Sequence, residues 1–362
     1  MRTSTRWERV MILPEPHIWK EAAWGAYASR EDLEKPGLER MRILAQPRAP
    51  QPPISHLTGL SYVEVGAGLT TCAMPASRWF LAATGGFTGG VLALAADAAL
   101  GGALVTLLEP GQILTTSELS LSYLRPAATA SGKLIARGRL VHASRTLGLS
   151  DVFIEDGRGR LLAHGSSRCV FLPTPARMHL PPPKPRPDGV LDPYERPAVG
   201  ETVEQMFTER AYTEMFDAWQ RDELPAPPLC NFFGLRPVEH GPGTMTWALP
   251  ASEWLNNAFG VIYGGALAIL ADSAVGGAIW MTMDRGQTLA SLNLHVYFFR
   301  PVMADGRDMI ARGTVTRSGR SLRVASAEVF DADGNLVAMG TGSAKVVSDR
   351  PVSLQPQAPP EG

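Results

Sequence analysis

Adding 175 to a residue number maps one half of this chain onto the other without a gap. Pro75-Ala76-Ser77 falls on Pro250-Ala251-Ser252, Gly89-Gly90 on Gly264-Gly265 and Asp97 on Asp272. The register continues through Gly101-Gly102 over Gly276-Gly277, Gly111-Gln112 over Gly286-Gln287, Arg125-Pro126 over Arg300-Pro301 and Arg137-Gly138 over Arg312-Gly313. A unit this long, present twice, is a duplicated domain and not a solenoid repeat, and two such copies can pack about a pseudo-twofold axis. Positions where the copies differ bear on function, because a shared fold does not require the difference.

The 362 residues suit two domains of ordinary size with connecting segments. A net charge of −1 offers no basic surplus for nucleic acid, so no such partner is expected. The cysteines, Cys72, Cys169 and Cys230, are odd in number and lack a paired metal spacing. They suggest no disulfide framework and no metal site, and fit a reducing, cytoplasmic setting. Residues 91–108 and 261–281 are apolar enough to resemble membrane spans, but each carries an Asp near its middle and two glycines after it. A buried helix running into a buried strand accounts for the same letters without a membrane, and makes the Asp a costly buried group that needs a reason. The N-terminus has Arg2, Arg6, Glu8 and Pro14-Glu15-Pro16 but no apolar signal region, so secretion is not expected.

Residues 1–55 read as a helical, polar and aromatic lead-in with Trp7, Trp19 and Trp24, ending in the prolines of 47–53. A first core covers 56–172, a proline-rich linker with a helix signal at 201–224 covers 173–230, a second core covers 231–348, and 349–362 form a tail. The helix signal corresponds through the 175 shift to the end of the lead-in. Within each core, strands broken by Gly at 60–74 and 235–249 precede a glycine-flanked helix at 85–102 and 260–277. In the first copy strand-like runs follow at about 103–108, 113–125, 132–155 and 160–172. One long helix followed by antiparallel strands predicts an α+β unit in which the sheet wraps the helix.

Gly90 and Asp97 are seven apart, as are Gly265 and Asp272, so each carboxylate shares a helix face with the glycine that opens the helix. A glycine pair at a helix N-terminus leaves free amide hydrogens for a carbonyl oxygen or oxyanion. Tight helix packing alone would also explain the glycines.

The run Asn257-Ala258-Phe259-Gly260-Val261-Ile262-Tyr263-Gly264-Gly265, with Asp272 seven beyond, resembles the helix-opening motif of acyl-CoA thioesterases of the phenylacetate-pathway type, which are hot-dog-fold proteins. Tyr263 stands where that family has His. In the first copy Thr88-Gly89-Gly90 and Asp97 keep the frame, while Ala82 replaces the Asn and Thr88 the His. The family's assisting hydroxyl, ten residues before a Pro, is matched by Thr116 before Pro126 and Ser291 before Pro301. The resemblance covers both cores and implies two tandem hot-dog domains forming an internal pseudo-dimer, an α+β fold with a long central helix in each antiparallel sheet.

The resemblance further implies that the Asn and glycine amide of one domain face the acid and hydroxyl of the other. One composite site then holds Asn257, Tyr263 and Gly264 with Asp97 and Thr116; the second, with a decayed look, holds Thr88, Gly89, Asp272 and Ser291. The retained Asn257 favours the first. A thioester carbonyl needs its developing oxyanion held by an amide such as that of Gly264, and a partly desolvated Asp97 can activate water or attack directly. Gly90, Gly265, Arg145 and Arg320 are the remaining substrate-binding candidates, the arginines for the phosphates of coenzyme A. Acyl-CoA is the expected partner, coenzyme A enters as part of the substrate, no separate cofactor or membrane is expected, and the two-domain chain could form a homo-oligomer. A hot-dog hydratase is disfavoured because neither helix carries a His. The alternative from another class is a catalytically silent acyl-CoA-binding or scaffold protein, suggested by the lost His in both copies.

Overall fold

The computed structural model describes Leu13 and residues 15–348, so Trp7, the charged N-terminal residues and the 349–362 tail lie outside the described residues. The lead-in supplies α1 (Arg30–Leu33), α2 (Gly37–Leu44) and α3 (Pro53–Thr58). The first core then runs β1 (Ser61–Gly66), β2 (Leu69–Pro75), α4 (Gly89–Val105), β3 (Gln112–Tyr123), β4 (Lys133–Ala143), β5 (Leu147–Asp156) and β6 (Leu161–Pro173). The linker carries α5 (Met206–Glu209), α6 (Tyr212–Gln220) and α7 (Pro228–Phe233). The second core repeats the first as β7 (Arg236–Gly241), β8 (Thr244–Pro250), α8 (Gly264–Trp280), β9 (Gln287–Phe298), β10 (Asp308–Ser318), β11 (Leu322–Phe330) and β12 (Leu336–Ser348).

The strands form one antiparallel twelve-stranded sheet in the order β1-β2-β4-β5-β6-β3-β9-β12-β11-β10-β8-β7. The halves meet at β3 and β9, where Ser120 pairs with His295. These two residues are 175 apart, so the pseudo-twofold axis passes between them. On the concave face α4 and α8 lie against each other. Each is apolar around its whole circumference, as a helix enclosed by a sheet and a sister helix must be. The closest approaches are set by glycine. A Cβ on Gly90 would sit 2.6 Å from Ile269 Cα, and one on Gly265 would sit 2.8 Å from Leu94 Cα. The tight-packing account of these glycines is therefore correct as far as it goes.

Two readings of local structure change. The run at 103–108 is not a strand: α4 continues to Val105, since an unbroken apolar run next to an enclosed helix extends the helix as readily as it starts a strand. The helix signal at 201–224 resolves into α5 and α6, which match α1 and α2 through the 175 shift, as α7 matches α3. Lead-in and linker clasp each other and the second core. Trp24 Nε1 donates to Asp192 Oδ1 (3.0 Å), Arg196 pairs with Glu21 (2.8 Å), and Trp24 packs edge-on against Trp254. No helix among the described residues is long and apolar enough to cross a membrane.

Candidate active site

Each Asp of the central helices reaches across the pseudo-axis to the opening of the sister helix. The Gly265 amide donates to Asp97 Oδ2 at 3.1 Å, and the Gly90 amide donates to Asp272 Oδ2 at 2.8 Å. Both carboxylates take the second amide of the helix, that of Gly265 or Gly90, so these two substrate-binding candidates hold the acids, one residue beyond the oxyanion candidates Gly264 and Gly89. Gly264 is nonetheless in contact, because a Cβ there would lie 2.7 Å from Asp97 Oδ2. Asp97 is 6 % exposed and Asp272 8 %, and burial pushes each carboxyl up to about 6 despite the amide hydrogen bonds that favour the charged form. Thr116 Oγ1 lies 3.4 Å from Asp97 Oδ1. The Thr88 hydroxyl is near enough to Asp272 to help hold its charge, but no hydrogen bond of ordinary geometry reaches it.

The two composite sites then part. A cavity of about 330 Å³ opens at the second one, lined by Thr88 and Gly89 at the start of α4 together with Asp272, Gly276 and Ser291. Its volume is that of a small-molecule site. At the first site two tyrosine rings stand at the corresponding places. Tyr263, counterpart of Thr88, donates its hydroxyl to Leu94 O at 2.8 Å. Tyr62, counterpart of Pro237, donates to Ala98 O at 3.1 Å and lies against Gly102. Asn257, which made this site the favoured one, uses its Oδ1 to accept from Phe259 N (2.8 Å) and Val261 N (3.4 Å) of its own loop. Pro181 of the linker and Tyr27 of the lead-in lie over Gly260. The structure thus puts an open cavity at Asp272, where Thr88 stands in the place of Tyr263 and Pro237 in that of Tyr62.

The far wall of the cavity explains why it stays open. In the first half, Gly37 at the start of α2 sits directly on the end of α4, and a Cβ there would collide with the Val105 carbonyl. In the second half the same two positions are Tyr212 and Trp280, whose rings stack at 4.9 Å between centroids and 17° between planes. The stacked pair holds α6 off the end of α8 by the thickness of a ring. Phe207 and Trp219 pack on the pair, and Trp247 and Leu229 complete an aromatic and apolar lining. Phe207, Tyr212 and Trp219 belong to the linker helices, which a search confined to the repeated cores passes over. The paired changes Gly37 to Tyr212 and Val105 to Trp280 were the available signal.

Arg145 and Arg320 are exposed in the β4–β5 and β10–β11 turns, and neither lines the cavity. Arg125, just beyond the end of β3, does line it; its guanidinium donates to Leu161 O at 2.7 Å, and the residue is exposed. No group of three or more metal-ligating side chains occurs among the described residues.

A sequence model of the thioesterase superfamily matches residues 85–163 and 259–338, one segment in each core. Among solved structures, a conserved hot-dog-fold protein of unknown function from Alicyclobacillus acidocaldarius is similar over 82 % of this chain and 98 % of its own, with 14 % identity and a TM-score of 0.52. The tesB protein of Mycobacterium avium subsp. paratuberculosis shares the same coverage at 13 % identity and a TM-score of 0.52. A candidate thioesterase II of Thermobifida fusca is similar over 81 % of this chain and 97 % of its own, at 15 % identity and a TM-score of 0.51. These likenesses establish the fold as two hot-dog domains in tandem. No curated protein matches the chain.

Proposed function

We propose that the chain hydrolyses acyl-CoA thioesters at one site, the one built from Asp272, Ser291, Thr88 and Gly89. The observation that carries this reading is the coincidence of the cavity with a buried carboxylate hydrogen-bonded across the pseudo-axis to the mouth of α4. The match of both cores to the thioesterase superfamily supports it. In this reading the Asp272 carboxylate takes a proton from a water whose oxygen attacks the thioester carbonyl carbon. The oxyanion is held at the amide-lined start of α4, the carbon–sulfur bond breaks, and the proton passes to the departing thiolate. A carboxylate titrating near 6 is charged at neutral pH yet more basic than a surface Asp, which suits a general base. The Asp97 site keeps the hydrogen bond but has no room for a carbonyl beside Tyr263, and in this reading it is structural.

The pH dependence follows from the sign of the shift. Deprotonated Asp272 is the active form, so kcat/KM is expected to fall about tenfold per pH unit below pH 6 and to be flat above it. A profile of thiol release between pH 4.5 and 8.5 measures this. A limb centred near pH 4 would mean that an exposed carboxylate does the work.

The acyl group is read from the cavity wall. The helix-opening motif resembles the phenylacetate-pathway type, and the stacked Tyr212–Trp280 wall offers a flat apolar face to an aryl-acyl chain. Arg125 at the rim is placed to meet the phosphates of coenzyme A. Trp280→Ala is expected to enlarge the cavity and shift preference from aryl-acetyl to longer aliphatic acyl-CoA by about tenfold in relative kcat/KM, since a few methylenes in an apolar pocket decide differences of that size. Comparing phenylacetyl-, butanoyl- and dodecanoyl-CoA with both proteins tests the wall. Binding without turnover across that panel would instead support an acyl-CoA-binding protein with no hydrolytic activity.

A further inference from the structure

We propose that the Tyr123 hydroxyl donates a hydrogen bond to the thioester oxygen at the Asp272 site, supplying the side-chain donor that Ala82 cannot. The inference rests on the hydrolytic reading of that site. Tyr123 ends β3, immediately beyond the strand pairing that joins the two halves, and lines the cavity. Its ring lies over the opening of α4, so that a Cβ on Gly89 would collide with the hydroxyl. That hydroxyl is buried and has no partner among the described residues. A buried O–H without an acceptor forfeits its hydrogen bond to water with nothing in return, so a fold that only needed the ring would do better with phenylalanine. The sister half shows this: the residue 175 positions on is Phe298.

The hydroxyl is therefore present at the mouth that is open and absent at the mouth that is filled. Burial, together with the nearby Asp272 carboxylate, holds the phenol far above its usual titration range, so it remains a neutral donor wherever Asp272 is charged. Its one proton has nowhere to go inside the protein, and an acyl carbonyl lying over the Gly89 backbone would bring the missing acceptor. The remaining donor capacity there comes from the first amides of α4, one of which already serves Asp272. Tyr123 and a backbone amide would then approach the oxygen from two sides, the arrangement that stabilises a developing oxyanion most.

Tyr123→Phe tests this, because the sister half already accommodates phenylalanine at that position. Loss of one preorganised donor is expected to lower kcat about 100-fold and leave KM within about threefold, while the melting temperature of the free protein rises because the unpartnered hydroxyl is gone. A ketone analogue, in which a methylene replaces the thioester sulfur, adds a readout that a packing role would not move. Its bound carbonyl stretch should shift to higher frequency in Tyr123→Phe as the hydrogen bond is lost. Tyr123→Phe at the parental kcat, with Asp272→Asn inactive, would overturn the role of the tyrosine and leave the site reading intact. Asp272→Asn at the parental rate would overturn both.

Discussion

Asp272→Asn is expected to lower kcat/KM for thioester hydrolysis by about 10³-fold or more, while Asp97→Asn stays within about twofold of the parent. The sequence makes the two residues equivalent, and so does their first contact, an amide of the sister helix at 2.8 Å for Asp272 and 3.1 Å for Asp97. What separates them is the space beyond. The cavity reaches Asp272, whereas Tyr263 and Tyr62 stand where substrate would approach Asp97. An asparagine keeps an oxygen for the amide and cannot take the proton of water, so the substitution removes the base with little change of shape. At Asp97 the same change also removes a buried charge. The carboxyl titrates at about 6 when folded against 3.8 in the unfolded chain, so its contribution to stability is fully present below pH 3.8 and is lost as pH rises through 6. That loss amounts to about 3 kcal/mol. Asp97→Asn is therefore expected to narrow the stability difference between pH 4 and pH 8, measured by urea denaturation. Loss of activity in Asp97→Asn with retention in Asp272→Asn would reverse the assignment of the two sites.

Thr88→Tyr is expected to close the open mouth and raise KM at least about 30-fold. Position 88 is the counterpart of Tyr263, whose hydroxyl reaches across to Leu94 O on the sister helix. The equivalent acceptor for a tyrosine at 88 is the Ile269 carbonyl, which already takes the Ser273 hydroxyl at 2.8 Å and has a second lone pair to offer. The introduced ring would occupy the wall that Thr88, Gly89 and Asp272 now leave open, and would compete with Tyr123 for the face over Gly89. Because a tyrosine is tolerated at this place in the other half, the protein should fold and lose binding. Titration with an unreactive acyl-CoA analogue measures the effect directly. Parental affinity in Thr88→Tyr would mean that substrate enters by another route.

Much of this architecture is legible in the letters. The 175-residue register, the glycine pair at each helix opening and the Asp seven beyond give two enclosed helices and two carboxylates poised at a seam, and the resemblance supplies the direction in which each carboxylate points. The choice between the two mouths is not legible in the same way. Sequence reasoning weighed groups with chemistry, Asn257 against Ala82, whereas the position of the cavity follows bulk: Tyr62 against Pro237, Tyr263 against Thr88, and Tyr212 with Trp280 against Gly37 with Val105. Gly37 and Tyr212 come from the lead-in and the linker, whose contact with the cores depends on tertiary packing and leaves no periodic trace. Asn257 carried the preference for the first site in the sequence, and in the structure its Oδ1 bonds its own loop, as an Asx side chain does as readily as it meets a substrate. The run at 103–108 failed as a strand for a similar reason, since apolar letters without alternation fit a helix end and a buried strand alike.

On the pseudo-axis, Ser120 faces His295. In an assembly of two separate identical chains, a residue in that place would meet its own copy, and every inherited change would arrive on both sides together. Joining the halves end to end lifts that constraint, so one mouth can be remodelled while its twin stays as it was. It also fixes stoichiometry and distance: the seam that brings Asp272 to the start of α4 does not come apart on dilution, and turnover per molecule should be the same at nanomolar as at micromolar protein.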